Sequence, residues 1–365
     1  MVNEDPTIYQ RKEEHIRLAI ENDGYSSGDI WLDRVNVVHE PFPQLNFSDI
    51  DLQTSFLGKT ISAPILIDAL TGGTSTSYTI NKNLAEFAAQ KSLPICVGSQ
   101  RIMLKPDSHL ESFRIVRKSN PDGIVLGNIG ISQILQMESF TPISEILDVI
   151  EADGLCVHLN VLQELIQQQE PLNFKDGLAK ISQLSDYLQI PIIFKEVGVG
   201  MSREFAERLI KQGFDCFNIA GFGGTNFTRI EARRNQDRDS KMATKIGNTF
   251  SSWGIPTAAS ILEVRSVLPK TGLLIASGGI RSGRDIGISI SLGADLCGLA
   301  LPFLKAANKG SSALEELGEQ LNSELKIFMM LTGVQKLSDL AGIPKVYLPP
   351  LSDWIVQRKI QIKNI

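Results

Sequence analysis

The chain has 365 residues, 42% of them hydrophobic, and a formal net charge of −5 at pH 7. This length suits one α/β barrel with additions better than two average domains. Because no block of basic residues stands out, nothing indicates nucleic acid or an anionic membrane surface as a partner, and an anionic ligand would have to be bound by local groups. The polar beginning of the chain and the absence of a long apolar run predict a cytoplasmic protein without a signal peptide or membrane span.

Residues 1–62 precede any regular alternation of strands and helices. They contain a charged helix around Arg11-Lys12-Glu13-Glu14-His15, followed by a connection rich in glycine, asparagine and proline. We expect this N-terminal extension to pack on the main domain, residues 63–365, or to reach a neighbouring subunit.

From Ala63 onward, short apolar runs alternate with amphipathic stretches, which is typical of repeated βα units. The predicted strands span residues 63–69, 93–98, 123–128, 154–160, 191–196, 215–220, 273–279 and 295–300. Predicted helices between them include 80–91, 109–118, 174–188, 203–212, 258–267 and 283–292. Eight strands favour a closed (β/α)8 TIM barrel over an open doubly wound sheet, with further helices at the C-terminus and the active site at the C-terminal ends of the strands.

Residues 221–254, after the predicted sixth strand, depart from this alternation. The stretch is polar and includes a run of charges at 229–238. A long loop in a compact domain is commonly a lid, a binding loop or a subunit contact. A solvated insertion would have the same composition.

The four cysteines, at positions 96, 156, 216 and 297, each fall inside a predicted core strand. A free cysteine there behaves as a small hydrophobic residue, so we expect neither disulfide bonds nor a cysteine metal cluster.

The predicted fourth strand ends in polar residues. His158 and Asn160 lie two residues apart and therefore share one face, and Gln163 and Glu164 follow just past the strand. Histidine offers a hydrogen-bond donor or a positive charge, the amides offer neutral hydrogen bonds, and Glu164 offers the hard oxygen that Mg²⁺ prefers. The group suits a metal-bound anion, although an ordinary helix start after a core strand would have the same pattern.

Glycine-rich loops follow the predicted sixth and seventh strands. Gly221-Phe222-Gly223-Gly224 follows the sixth strand, and Ser277-Gly278-Gly279-Ile280-Arg281-Ser282-Gly283 follows the seventh and opens a helix whose free amides would meet a phosphate. Phosphate sites in these barrels are often built after strands seven and eight, which favours a phosphorylated cofactor. Tight turns from strand to helix need glycine as well.

Three other strand ends carry polar groups. Lys195 would favour the anion of a reduced flavin by direct charge attraction, or would pair with a nearby carboxylate. Arg101 has a guanidinium fork suited to a diphosphate. Asn128 is either a ring contact or a turn residue.

Taken in chain order, these motifs resemble those of the type 2 isopentenyl diphosphate isomerases, FMN-dependent enzymes that interconvert isopentenyl and dimethylallyl diphosphate. The similarity covers nearly the whole chain. The matching segments are Arg11-Lys12, Leu70-Thr71-Gly72-Gly73-Thr74, Gly98-Ser99-Gln100-Arg101, His158-Leu159-Asn160, Gln163-Glu164, Phe194-Lys195-Glu196-Val197-Gly198, Gly223-Gly224-Thr225, Ser277-Gly278-Gly279-Ile280-Arg281-Ser282-Gly283 and Leu331-Thr332-Gly333.

The resemblance implies reduced FMN as the acid–base group, with no catalytic side chain, NADPH as its reductant, Mg²⁺ bound by Glu164, and a tetrameric or octameric homo-oligomer. Together with the strand-end argument, it assigns the diphosphate substrate to Arg11, Lys12, Ser99, Gln100, Arg101, His158, Asn160 and Gln163. It assigns FMN to Ala69, Leu70, Thr71, Ser99, Asn128, Lys195, Ala220, Thr225, Gly279, Ile280, Arg281, Ala300 and Leu301.

Three positions depart from the family pattern. Asp68 and Leu70 stand where asparagine and methionine are usual, and Asn218 stands where aspartate is usual. Leu70 preserves the shape, whereas Asp68 adds a charge near the flavin and Asn218 removes one. Residues 168–173 also lack the usual Pro-Glu-Gly order.

Two other functions stay open at this point. An FMN-dependent oxidoreductase such as a 2-hydroxy acid oxidase would need a histidine base in the region of the seventh strand, where none of the four histidines lies. A catalytically silent flavin-binding homologue would have no need of a diphosphate site.

Overall fold

The eight apolar runs predicted as strands form one closed parallel barrel in a computed structural model that describes residues 6–21, 28–105, 110–167, 173–237 and 241–362. The order of the strands around the barrel follows the chain, and β8 closes against β1. The expected (β/α)8 barrel is therefore confirmed. The strands are β1 (Ile65–Ile67), β2 (Ile95–Cys96), β3 (Val125–Gly130), β4 (Gly154–Leu159), β5 (Ile192–Glu196), β6 (Cys216–Asn218), β7 (Leu273–Ser277) and β8 (Leu296–Leu299).

Helices cover the outside of the barrel, and those predicted from the sequence occur with ends shifted by a few residues. Residue 109, expected to begin one of them, lies outside the described residues. The helices are α1 (Pro6–Glu21), α2 (Ser75–Lys91), α3 (Glu111–Ser119), α4 (Ile131–Gln136), α5 (Thr141–Asp148), α6 (Val161–Gln167), α7 (Gly177–Leu188), α8 (Arg203–Ile210), α9 (Phe227–Asp237), α10 (Lys241–Thr249), α11 (Thr257–Arg265), α12 (Gly283–Ser291), α13 (Leu301–Lys309), α14 (Ser311–Leu331) and α15 (Leu351–Gln357). Within the described residues, no helix is both long and apolar enough to cross a membrane.

A β-hairpin closes the N-terminal end of the barrel. Strands Thr54–Phe56 and Lys59–Ile61 pair antiparallel, and Phe56 and Ile61 pack into the inner core beneath the cavity. Cys96 and Cys156 belong to this core, and all four cysteines are free, with Cys216 half-buried and the others buried. The inside of the barrel is therefore apolar and filled at its N-terminal end, whereas a cavity opens at the C-terminal ends of the strands.

The N-terminal segment shares its core with the barrel. Ile16 and Leu18 on α1, and Leu32 and Val35 further along, are buried in the same hydrophobic cluster as the outer faces of the barrel strands. Strand Val35–Val37 also pairs antiparallel with strand Lys345–Tyr347. Helix α1 contacts α9 and α13 and lies across the C-terminal mouth of the barrel.

The polar excursion after β6 is mostly helical and not an irregular loop, since it contains α9 and α10. The sequence pattern concealed α9 because its inward face mixes apolar and charged side chains. Ile230 is fully buried, but Glu231 and Arg234 are 1% and 4% exposed on the same side. A helix that buries an ion pair lacks the simple apolar period from which helices are predicted.

Candidate active site

A cavity at the C-terminal ends of the strands is lined by residues from around the whole barrel and from α1. The register of the parallel strands explains why their polar residues meet. His158 on β4 lies opposite Gly130 on β3 and Lys195 on β5, and Lys195 lies opposite Asn218 on β6. Side chains far apart in sequence therefore point inward at one level of the barrel.

Most of the predicted site residues line this cavity. On the side of α1, α6 and the loop after β2 are Arg11, Lys12, Ser99, Arg101, His158, Asn160, Gln163 and Glu164. Around the strand ends are Ala69, Leu70, Thr71, Asn128, Lys195, Ala220, Thr225, Gly279, Ile280, Arg281, Ala300 and Leu301.

Gln100 is the exception, because its side chain points away from the cavity and is fully buried. Its Nε2 donates to the carbonyl of Ile146 at 2.7 Å, and its Oε1 accepts from the amide of Asn128 at 3.0 Å. A 3-10 helix begins at Gln100 directly after Ser99 and turns the side chain inward. Gln100 therefore positions Asn128, and its side chain does not line the cavity.

The loops after β6 and β7 meet through their backbones. A Cβ added at Gly224 would lie 2.3 Å from the amide nitrogen of Gly279. Gly278 and Gly279 have φ values of +98° and +82°, which side chains rarely allow. Glycine at these positions thus permits a backbone cradle that a larger residue would fill.

Several of the amides expected to be free where α12 begins are bonded to side chains, including the first amide of the helix, Gly283, which donates to Glu324 Oε2 at 2.7 Å. The Asp285 carboxylate accepts hydrogen bonds from the amides of Arg281 and Ser282, both at 3.1 Å. Ser282 Oγ in turn accepts one from the amide of Asp285. Within the described residues, the amides of Gly279 and Ile280 donate to no protein group and remain for a phosphate. The donor set fits a phosphate held by the loop, just before the helix.

The lining of the cavity is net positive although the chain is acidic. Lys12 Nζ donates to the carbonyl of Ser99 at 3.0 Å and lies 5.6 Å from the centre of the Phe113 ring. Burial, assisted by the nearby charge of Arg11, lowers the pKa of Lys12 to about 7. Besides His15 and His158, the ionisable lining residues are the cations Arg11, Lys12, Arg101, Lys195 and Arg281 and the carboxylates Asp68 and Glu164.

Glu164 lies beside these cations, and its neighbour Asn160 has a buried oxygen without a hydrogen-bond partner. Its Oε1 accepts from Asn160 Nδ2 at 3.0 Å and from Ser132 Oγ at 3.4 Å, and Arg101 Nη1 lies 3.8 Å away. The Oδ1 atom of Asn160 is buried and has no partner. Among the described residues no group of three or more histidine, cysteine or acidic residues is arranged to hold a metal. The Glu164 carboxylate and the Asn160 Oδ1 atom fit a hard cation that takes its other ligands from a phosphate and water.

His158 presents a lone pair to the cavity in the ligand-free protein, and not the donor or positive charge expected from sequence. Asn128 Nδ2 donates to the carbonyl of Val97 at 3.1 Å, so Asn128 Oδ1 faces His158 Nδ1 at 2.8 Å and must accept its proton. Burial, followed by the charges of Lys195, Lys12 and Arg101, lowers the pKa of His158 to about 3. The ring is therefore neutral at pH 7.

Comparisons with known proteins identify the family of this chain. A family model described as FMN-dependent dehydrogenase matches residues 158–343, half of the chain. A protein named isopentenyl-diphosphate delta-isomerase from Pyrobaculum islandicum is 40% identical over 356 residues, which cover 97% of this chain and 99% of that protein. This chain belongs to the isopentenyl-diphosphate delta-isomerase family.

A second member of the isopentenyl-diphosphate delta-isomerase family, from a Nostoc species, is 40% identical over 90% of this chain and 93% of its own length. Among solved structures, a lactate oxidase from Pediococcus acidilactici has a TM-score of 0.63 and covers 93% of this chain and 94% of its own. Its sequence identity is only 15%, so this likeness concerns the fold alone.

Two departures from the isomerase family pattern, Asp68 and Asn218, are in direct contact. Asn218 Nδ2 donates to Asp68 Oδ2 at 3.1 Å, although the residues are 150 positions apart. Lys195 Nζ donates to the same oxygen at 2.7 Å, so the carboxylate that pairs with Lys195 comes from β1, across the barrel. The two positions expected from the resemblance to change the local charge therefore belong to one hydrogen-bonded group.

Sequence reasoning missed Glu231, which holds α1 over the mouth of the cavity. Glu231 Oε1 accepts from His15 Nε2 on α1 and from Gln167 Nε2 on α6, both at 2.7 Å. Arg234 donates to its second oxygen and also to Glu14 Oε2 at 2.7 Å. Burial opposes ionisation, but His15, Arg234 and Gln167 together lower the pKa of Glu231 to about 2. Its position within a charged run, typical of solvated surface, concealed this role.

We expect Glu231→Gln to loosen α1 and lower the free energy of unfolding by about 1–3 kcal/mol, because buried donors lose a charged acceptor. Hydrogen exchange should rise in residues 6–21. In the wild-type protein, the contribution is present above the ordinary glutamate pKa of 4.5 and is lost as the pH falls towards 2.

The control is Glu21→Gln, which breaks the exposed pair between Arg17 and Glu21 on the same helix and should have almost no effect. Equal exchange in the two variants would show that Glu231 does not hold α1.

Proposed function

We propose that this chain interconverts isopentenyl diphosphate and dimethylallyl diphosphate, with bound FMN and Mg²⁺. The observation that carries the proposal is that one cavity joins two dissimilar parts. One part is basic and contains Glu164, and the other is a glycine cradle beside Lys195. A diphosphate substrate and a phosphorylated cofactor require these two environments together.

The glycine cradle would hold FMN. The amides of Gly279 and Ile280 would bind its phosphate, and Lys195 would donate to the ring. Ala69, Leu70 and Thr71, after β1, would provide a surface for the ring. Reduced FMN would supply the acid–base group that moves a proton between two carbons, and NADPH would be needed only to reduce it beforehand.

The basic part would hold the diphosphate. Arg11, Lys12 and Arg101 would neutralise its charge. Glu164, with Asn160 Oδ1, would hold a magnesium ion, which would supply further positive charge for the diphosphate. Since α1 supplies Arg11 and Lys12, its docking completes the substrate site.

The five-carbon part of the substrate needs an apolar and water-free environment. Ile16 and Ala19 on α1, together with Phe227 and Leu304, line the cavity on the inner side of α1. Excluding water from this space would strengthen every electrostatic interaction with the positive charge that develops on carbon during proton transfer.

Diphosphate binding is expected to take up a proton above pH 7. In the ligand-free protein the pKa of Lys12 is about 7, and a bound anion would raise it. Affinity should therefore fall as the pH rises above 7, by up to about tenfold per pH unit. Calorimetry of isopentenyl diphosphate binding at pH 8, in buffers with different ionisation enthalpies, measures the uptake.

Lys12→Arg is the matched control, because arginine stays charged and should bind without uptake. Undiminished proton uptake in Lys12→Arg would assign the proton to another group, such as His158.

The test of function supplies isopentenyl diphosphate, FMN, NADPH and magnesium under anaerobic conditions and follows dimethylallyl diphosphate. Formation of product that depends on reduced FMN supports the proposal. Oxidation of lactate or mandelate without isomerisation would support the oxidoreductase alternative, although no histidine follows His158 in the sequence. FMN binding without either reaction would indicate a silent homologue.

A further inference from the structure

Four buried side chains from four strand ends form a hydrogen-bonded group at the floor of the cavity, here called the Asp68 network. Asp68 Oδ2 accepts from Lys195 Nζ at 2.7 Å and from Asn218 Nδ2 at 3.1 Å. Ser277 Oγ donates to Asn218 Oδ1 at 2.5 Å. Exposed fractions are 2% for Asp68, 7% for Lys195, 0% for Asn218 and 2% for Ser277, so water does not replace these partners.

The orientation of the network is determined by its donors and acceptors. A carboxylate only accepts, so the amide nitrogen of Asn218 faces Asp68, and its oxygen receives the Ser277 proton. Asp68 Oδ1 accepts from the amide of Ala69 at 2.8 Å. A Cβ at Gly298 would lie 2.8 Å from Asp68 Oδ2, so the carboxylate is enclosed on that side as well.

Moving the Lys195 ammonium out of this network would cost free energy. Burial alone would lower the pKa of its ammonium, but the attraction of Asp68 raises that pKa above its ordinary value of 10.5. Lys195 therefore stays charged, and movement towards a ligand would leave a buried carboxylate without its counter-charge. At distances of more than a few ångströms, the electrostatic potentials of the Lys195 ammonium and the Asp68 carboxylate largely cancel.

We propose that Asp68 is a positioning residue that fixes the Lys195 ammonium and sets how much positive charge the cavity floor presents to a bound flavin. The inference rests on the proposed function, because it requires FMN in this cavity. The paired ammonium keeps N–H donors for the ring, but as part of a nearly neutral pair. It therefore stabilises the reduced flavin anion less than an unpaired lysine would, and Asp68 lowers the midpoint potential of FMN.

The test measures the midpoint potential of bound FMN and the pKa of reduced FMN by anaerobic titration. Asp68→Asn keeps the shape but removes the charge, so the potential should rise and the pKa should fall by about one unit or more. Asn218→Asp places a second carboxyl group about where an amide now lies 3.1 Å from Asp68. Two carboxyl groups this close share a proton near neutral pH, so both quantities should shift in the opposite direction only as the pH is raised and the second carboxyl ionises. The double variant Asp68→Asn/Asn218→Asp restores one carboxylate and should return both towards the wild-type values.

Glu164→Gln, a change of charge in the basic part of the same cavity, is the control and should shift neither quantity as much as Asp68→Asn. Unchanged values in variants that bind FMN would overturn the inference and leave the proposed function standing. Failure of the wild-type protein to bind FMN would overturn both. If Asp68→Asn does not fold, the opposite shift in Asn218→Asp at raised pH and its reversal in the double variant decide the question.

Discussion

Replacing Lys195 with methionine is expected to lower the free energy of unfolding of the ligand-free protein by about 3–5 kcal/mol, the usual cost of removing one partner of a buried ion pair. Asp68 would keep a charge at a position that is 2% exposed, and among the described residues its remaining donors would be Asn218 and the amide of Ala69. FMN should also bind more weakly, and the pKa of reduced FMN should rise. Urea denaturation and flavin titration measure the two effects.

Two variants test the cause of this loss. The double variant Lys195→Met/Asp68→Asn also removes the buried Asp68 carboxylate that has lost its counter-charge. It should recover most of the lost stability without recovering FMN affinity. Lys59→Met breaks a pair with Asp153 in which the lysine side chain is 47% exposed, and should cost less than about 1 kcal/mol. Equal losses from Lys195→Met and Lys59→Met would contradict the importance of burial at Lys195.

Glu164→Gln is expected to lower isomerase turnover at limiting magnesium by more than about 100-fold, the upper end of the loss when a group that merely orients a metal ligand is removed. Glutamine preserves the shape and accepts hydrogen bonds from Asn160 and Ser132, but it removes the charge that attracts the cation. High magnesium should restore part of the activity. FMN affinity should hardly change, since the glycine cradle lies in the other part of the cavity.

Activity against magnesium concentration, with FMN binding measured in parallel, provides the test. Glu316→Gln on the exposed face of α14 is the control and should leave both unchanged. A Glu164→Gln variant with wild-type turnover and magnesium dependence would make Glu164 an ordinary residue of the first turn of α6.

The barrel and most of the candidate site could be predicted because their signals are local. Each strand is a short apolar run buried on both faces, and His158, Asn160 and Lys195 stand at strand ends, which meet in any parallel barrel. The positive φ values at Gly278 and Gly279 agree with a glycine motif that the sequence shows directly.

Contacts between distant residues could not be predicted in the same way. In the sequence, Asp68 and Asn218 are two separate changes of charge, and the closure of the barrel brings them into contact. Gln100 stands between Ser99 and Arg101 in one motif. The 3-10 helix that begins at Gln100 directs its side chain into the core, whereas Ser99 and Arg101 line the cavity. Glu231 stands in a run of charges, and nothing local indicates that it is buried.

The shared core of α1 and the barrel has a thermodynamic consequence. Since α1 supplies Arg11 and Lys12 to the cavity, any ligand that needs these residues binds only the docked state and stabilises it by mass action. At a ligand concentration of 100 times Kd, this stabilisation is about 2.7 kcal/mol. A substitution that undocks α1 weakens diphosphate binding in proportion to the loss of the docked fraction, even when it lies far from the phosphate.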